Sequence, residues 1–525
     1  MTAERQNRTA ALQRAVIRGT AANHVATIAS LATGFVLTPI LVHELGAEQF
    51  GLWALVGSII AYGRLLDLGM ASALTKYVAE YRATGWLDRL RALIATALVL
   101  YVALCGITIA AAGLLVWSLP VDEWLPTREV SVHWLLFLTG CSVAVSIPSA
   151  ASGAVLRGLH RSDAASWLST AGLVLWIAAV AGILAAGGGI VAIVAAQIPV
   201  TILTQLLSVF VIDRLAPELR FARARPNAAL FRTVTAYSWS MFLVNVAGRL
   251  QARTDEIVVC AVLSVAAVTP YAIARRLSGV AHLATTQFVR VLLPVASELS
   301  SATDRGHLQD LFLVSTRLTL AMFAPLGCIL ALLAGPLLEA WVGESFADAA
   351  AVVVVLTIAS LFDAFLMPAG AILQGMNRHR PLAIMAVASG VTNLALSVVL
   401  ASQLGIMGVA VGTLIPTVFE CTVMVMPYAM RVVGITPKQL VMQAIWPALV
   451  PTIPMAIALY ALERAVRPTS LPTVASLALA GMLVYAAAYL RLGASPLELA
   501  ACRNAMGGIL RRFADIRGDA TVKAA

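Results

Sequence analysis

The amino-acid sequence predicts an all-α polytopic membrane protein of about 14 transmembrane helices, arranged as two parallel six-helix repeats with two further C-terminal helices. Three observations predict it. Of 525 residues, 60% are hydrophobic and only 12% charged, with a mean hydropathy of +0.89, whereas an ordinary soluble protein carries about 25% charged residues. Apolar runs of about 20 residues recur almost without interruption, the length a helix needs to cross a hydrocarbon core. Short alternating segments, the mark of spanning strands, are absent. Finally, stretches of the first half recur in the second at an offset of 217 or 218 residues.

The spans begin near residues 19, 50, 92, 133, 166, 190, 233, 268, 310, 350, 382, 408, 441 and 471, and the loops between them are short. The opening stretch, MTAERQNRTAALQRAVIRG, is polar and basic, so no cleavable signal peptide is expected. With the N-terminus in the cytoplasm, Arg82, Arg89, Arg91, Arg157, Arg161, Arg214, Arg220, Arg223, Arg225, Arg378, Arg380 and the Arg-rich tail fall on that side. The opposite loops hold only Arg128, Arg464 and Arg467. The positive-inside rule therefore predicts both termini in the cytoplasm. It also accounts for the formal charge of +10 without a nucleic-acid partner.

The repeat is read from four matches. LGAEQFGLWAL from Leu45 aligns without a gap on LSVAAVTPYAI from Leu263, an offset of 218, and VAEY at Val78 matches ASEL at Ala296 in the same register. VLRGLHR at Val155 matches ILQGMNR at Ile372, and AQIPVT around Pro199 matches TLIPTV around Pro416, both at 217. One such pair would follow from apolar composition alone; the shared register is what carries weight. Six crossings return the chain to its starting side, so the halves have the same orientation. Transporters of this build place the substrate path between the halves and rock one against the other. The expected division is an N-lobe at 1–212, a basic connector at 213–232, a C-lobe at 233–430, the added pair at 431–492 and a basic cytoplasmic tail at 493–525. The connector, DRLAPELRFARARP, reads either as a stretch lying on anionic headgroups or as a solvated linker.

Several functions are excluded by what is missing. The lysines are Lys76, Lys438 and Lys523, none in a GxxxxGK[ST] loop, so no phosphate-cradling ATPase motif is present. No extramembrane segment is large enough to hold catalytic groups, and no enzyme activity or cofactor is expected. Cys105, Cys141, Cys260, Cys328, Cys421 and Cys502 stand singly, which predicts free thiols and no metal site.

The charges inside the spans are the informative residues. FGLWALVGSIIAYGRLLDLGMASALTKY carries Arg64 and Asp67 near its middle, where a charge costs roughly 2.5 to 3.5 kcal/mol on insertion scales. Three residues apart, they share a helix face, which allows two readings: an ion pair of purely structural use, or a pair facing a functional cavity. Further charges cluster in or near the seventh and eighth spans, namely Arg249, Arg253, Asp255, Glu256, Arg275, Arg276 and Arg290. Elsewhere in the membrane stand Arg317, Asp363, Glu420 and His24. Spans 1 and 2 correspond to spans 7 and 8, so a shared, cationic cavity is expected. Arginine's planar fork holds phosphate bidentately, and Arg64, Arg249, Arg253, Arg275, Arg276 and Arg290 are the candidate substrate contacts. Arg275, Arg276 and Arg290 also admit a reading as snorkelling residues at span ends. Asp67, Asp255, Asp363, Glu420 and His24 are the candidate ion-pair or coupling groups.

The stretch TPILVHELGAEQFGLWALVGSIIAYGRLLDLGMASALTKYVAEYRATG, with its LG...FGLW turn and DLG, resembles the N-terminal signature of polysaccharide transporters in the multidrug/oligosaccharidyl-lipid/polysaccharide (MOP) flippase superfamily. The resemblance implies a flippase moving polyprenyl (pyro)phosphate-linked oligosaccharide across the bacterial inner membrane by alternating access. It implies partners in that lipid-linked glycan, the surrounding lipids, and a polysaccharide polymerase with glycosyltransferases. Arg64, Arg249 and Arg253 fall where that family's lumen arginines are expected. His24 beside Asn23 departs from the Arg-Asp pair of the peptidoglycan-precursor flippases, which share the added helices. Two other readings stay open: a cation-coupled multidrug exporter, which the arginine surplus opposes, and a non-transporting scaffold in cell-envelope synthesis.

Overall fold

In hydrocarbon, every backbone N–H and C=O must find its partner within its own segment, so the apolar runs fold as helices. The computed structural model describes residues 2–118, 131–219, 254–289, 292–301 and 305–495, with Leu230, Phe231, Thr235, Ser238 and Glu498. No strand occurs among them. Helix α1 runs Thr2–Gly63, α2 Met70–Ala83, α3 Leu87–Ser118, α4 Val132–Gly158, α5 Ser162–Ala185 and α6 Ile190–Leu215. There follow α7 Asp255–Val262, α8 Val265–Val289, α9 Leu292–Ser301, α10 Arg305–Leu332, α11 Ala334–Val342, α12 Ala350–Gly375 and α13 His379–Phe419. The last stretch holds α14 Met426–Val433, α15 Pro437–Leu440, α16 Trp446–Leu449, α17 Thr452–Val466 and α18 Leu471–Leu492.

Ten segments among the described residues are long and apolar enough to cross a membrane. Two of them, Ala22–Asp67 with 46 residues and His379–Val433 with 55, are each more than twice the length that a ~30 Å core needs. Each is broken by a glycine outside helical geometry, Gly46 (φ 75°, ψ 170°) and Gly405 (φ 61°, ψ −142°). The seventh expected span lies largely in residues outside the described ones, so the observed ten segments do not fix the expected total of fourteen. Trp117 and Trp134, at neighbouring ends of α3 and α4, are both about half exposed and pack edge to face at 5.7 Å, as tryptophans do at a membrane interface.

By packing, the chain divides into two units. The first comprises Met1–Ile273 and Ala386–Thr413, the second Ala274–Met385 and Leu414–Ala525. This division by packing crosses the sequence repeat, whose lobes are defined by equivalence of residues.

That equivalence extends to backbone hydrogen bonds. Helix α4 ends at Gly158 and α12 at Gly375, each followed by a left-handed residue, His160 (φ 58°) and Asn377 (φ 60°). His160 N donates to Arg157 O and Arg161 N to Leu156 O; 217 residues on, Asn377 N donates to Gln374 O and Arg378 N to Leu373 O. Both are the same paired closure of a helix end by bonds to its last-turn carbonyls. The core of the first unit contains Leu90, Val155, Leu156 and Ala216; that of the second contains their equivalents Leu308, Ile372, Leu373 and Val433. Arg91 Nε donates to Glu218 O at 2.7 Å, and its counterpart Gln309 donates through Nε2 to Gly434 O at 2.9 Å. Pro199 and Pro416 both lie inside helices.

Helices α17 and α18, outside the repeat, form a separate core with α10 through Met455, Leu459, Leu477, Tyr485 and Ile329. Cys105, Cys141, Cys260, Cys328 and Cys421 are free thiols; Cys502 lies outside the described residues.

Candidate functional site

The second span is not one helix. Helix α1 stops at Gly63, residues Arg64–Asp67 form a 3-10 turn, and Leu68 (φ 51°) and Gly69 (φ 78°) are left-handed before α2 begins at Met70. Gly63 permits the turn to sit against α4, because a Cβ there would overlap the Val143 side chain. In a 3-10 turn positions i and i+3 eclipse, so residues 64 and 67 still share a face, now at a break rather than along a continuous helix. The side chain of Arg64 lies outside the described residues.

Both oxygens of Asp67 are occupied. Oδ1 accepts from the Tyr101 hydroxyl at 2.6 Å, and Oδ2 accepts from Ala71 N at 3.1 Å in the first turn of α2. The positive end of a helix favours a carboxylate there. Tyr101 is fully buried, and its phenol satisfies an anion that would otherwise be costly in the bundle. Arg157, in the last turn of α4, is the cation whose field reaches both Asp67 and Tyr101.

A second cluster in the same unit surrounds Asp255, which is 5% exposed at the start of α7. Its Oδ2 accepts from the Tyr271 hydroxyl at 2.7 Å and from Thr413 Oγ1 at 3.1 Å. Asn393 Nδ2 donates to Thr413 Oγ1 at 3.0 Å, and Val409 O is a second acceptor for Thr413. Asn393 and Thr413 meet because α13 reverses at Gly405. Gly412 then brings the returning limb against Ser397, since a Cβ at 412 would stand 2.6 Å from Ser397 Oγ. Beside Asp255, Glu256 is also buried, and Thr254 shares a hydrogen bond with Tyr62. A carboxylate ringed by hydroxyl and amide groups is suited to bind and release a proton or a small cation.

In the second unit, Asp363 of α12 pairs through Oδ2 with His282 Nδ1 of α8 at 3.2 Å. Glu420 is buried where the helix widens into a π turn, Glu420–Val425, a feature frequent at functional positions. Arg275 is half-buried and Arg276 exposed on α8. Arg317, inside α10, is joined at 2.7 Å to Glu498, beyond the end of α18. His24 is exposed on α1. Arg249, Arg253 and Arg290 lie outside the described residues. The described candidates thus fall into separate groups around Asp67, Asp255 and Asp363. Sequence reading missed Tyr101, Arg157, His282, Asn393 and Thr413. For His282 the signal was available, an ionisable residue within an apolar span; for Tyr101, Asn393 and Thr413 there was none.

The sequence matches the family model for polysaccharide biosynthesis protein over residues 16–300. No curated protein matches it in sequence. Among solved structures, the inward closed conformation of the lipid II flippase MurJ is similar with a TM-score of 0.69 and 13% identity, over 90% of this chain and 98% of that one. The inward-facing conformation of a multidrug resistance MATE family transporter of the MOP superfamily matches with a TM-score of 0.66 and 14% identity, over 80% and 98%. A MOP superfamily transporter from Pyrococcus furiosus, described as having a binding pocket of reversed polarity, matches at 0.56 and 14%, over 81% and 96%. At these identities the likeness is one of fold, which this chain shares with those proteins.

Proposed function

We propose, since this chain belongs to the polysaccharide biosynthesis protein family, that it flips a polyprenyl (pyro)phosphate-linked oligosaccharide across the bacterial inner membrane by alternating access. The observation that carries the reading is the interrupted second span, which sets Arg64 and Asp67 on one turn and Asp67 within the field of Arg157. Charges are kept inside a bundle only where they have a use, and a guanidinium suits the phosphate of a lipid-linked glycan. Arg64, Arg249, Arg253, Arg275, Arg276 and Arg290 are the proposed substrate contacts. Asp255, buried and ringed by Tyr271 and Thr413, is the coupling group, with Asp363 and Glu420 as further candidates. Both termini are cytoplasmic, and the glycan is released to polymerising enzymes on the outer face.

The test is a deletion strain without a functional duplicate. Lipid-linked glycan should accumulate on the cytoplasmic leaflet while surface polysaccharide disappears. Unchanged surface polysaccharide refutes the reading.

A further inference from the structure

Arg157 counts in the sequence as one of the arginines flanking a span, yet its side chain does not behave as a flanking residue. A long basic side chain at the end of a spanning helix ordinarily extends past that end toward the headgroups. This one runs back along α4: a Cβ built on Gly153 would stand 3.2 Å from Nη1 and 3.8 Å from Cζ and Nη2. Side chains on helices lean toward the N-terminus, and the bare surface at Gly153 gives the guanidinium a place to lie. The charge is thereby held about one turn inside the helix end, where its field reaches Asp67 and Tyr101.

Among the described residues it has no ion-pair partner, and Asp67 reaches it only through its field. Asp67 spends both oxygens on the Tyr101 hydroxyl and Ala71 N, and no ion pair joins it to Arg157. Among the described residues, the guanidinium N–H groups of Arg157 have no hydrogen-bond partner, and the residue is exposed. An open, planar set of donors beside a carboxylate that is already satisfied has the chemistry of a phosphate site.

Resting on the flippase reading, we propose that Arg157 is a phosphate-binding residue of the first unit, gripping the diphosphate of the lipid-linked substrate, and that Asp67 limits how tightly it grips. Tyr101 holds the Asp67 carboxylate off the guanidinium, so the cation stays available to the substrate. The anion nearby repels the bound diphosphate and favours its release.

The experiment uses the full chain in phosphatidylcholine nanodiscs and measures binding of geranylgeranyl diphosphate, with geranylgeraniol as the uncharged control. The wild-type chain should bind the diphosphate and not the alcohol. Arg157→Gln should weaken binding by about tenfold or more, the loss expected for a charge-assisted contact. Gly153→Val keeps the charge but dislodges the guanidinium and should weaken binding as well, while Arg157→Lys should fall between. Asp67→Asn, which keeps an acceptor for Tyr101, should tighten binding. Thermal midpoints close to that of the wild type show that the variants are folded. If Arg157→Gln and Gly153→Val bind the diphosphate as the wild type does, this proposal is overturned while the flippase reading stands. If the wild-type chain shows no preference for diphosphate over alcohol, the flippase reading falls and takes the proposal with it. Nanodiscs with phosphatidylglycerol provide the third arm: Arg157-dependent competition that abolishes diphosphate binding would make the residue a general headgroup contact and overturn its assignment to substrate.

Discussion

The hydroxyl of Tyr101 donates a 2.6 Å hydrogen bond to Oδ1 of Asp67, joining residues 34 apart in sequence on the third and second spans. Because Asp67 Oδ2 also receives Ala71 N, one carboxylate both starts α2 after the break and fastens it to α3. Tyr101→Phe keeps the ring and removes the donor. An unsatisfied buried acceptor costs about 1 to 3 kcal/mol, so this variant should lower the thermal midpoint in detergent and reduce transport. An unchanged midpoint would show that the bond contributes nothing to stability.

Arg64 and Asp67 share a turn at that break, and their roles separate by substitution. Arg64→Ala should abolish or severely reduce flipping while the protein still inserts, because the proposed cationic contact to substrate is lost. Arg64→Lys should rescue only in part, since an ammonium keeps the charge without the planar fork. The deciding variant replaces both residues with Leu: full activity at normal membrane abundance would mean that the pair has no part in transport.

Asp255→Asn preserves size and one acceptor oxygen for Tyr271 and Thr413 but removes the charge proposed to bind a coupling cation or proton. In proteoliposomes, the variant should keep binding substrate and lose acceleration by an imposed proton or sodium gradient. Gradient-driven flipping at the wild-type rate would remove Asp255 from the coupling role. Thr413→Val, which deletes one donor, should give a partial loss.

Arg317 and Glu498 form a pair whose side chains are only 12% and 17% exposed, and Glu498 also receives Ser495 N at 2.7 Å. Removing one partner leaves a largely buried charge alone, a loss of about 3 to 5 kcal/mol when burial is complete and less here. Arg317→Leu and Glu498→Leu should therefore each lower the thermal midpoint more than the double replacement does. A double variant no better than either single would show that the two charges are not coupled.

What the sequence determined by itself was the membrane class, the repeat and its register. Burial in hydrocarbon imposes apolar runs of fixed length, and the repeated stretches of the two halves keep the residues that fill equivalent core positions. Leu90 and Leu308 or Leu156 and Leu373 show this directly, and so do the matching helix ends at His160 and Asn377. The charges within the spans were visible for the same reason: against an apolar background, Arg64, Asp67 and Asp255 stand out. Only the tertiary structure decided what those charges meet. A spanning helix is apolar on every face, so its composition does not say which face turns to which neighbour. Tyr101 reads as one more aromatic in a hydrophobic run until it reaches Asp67. Thr413 lies 158 residues from Asp255, and the two come together because α13 reverses at Gly405. The break at Leu68 and Gly69 likewise depended on the third and fourth spans: Tyr101 satisfies the carboxylate beside it, and α4 takes the close approach of Gly63 at Val143.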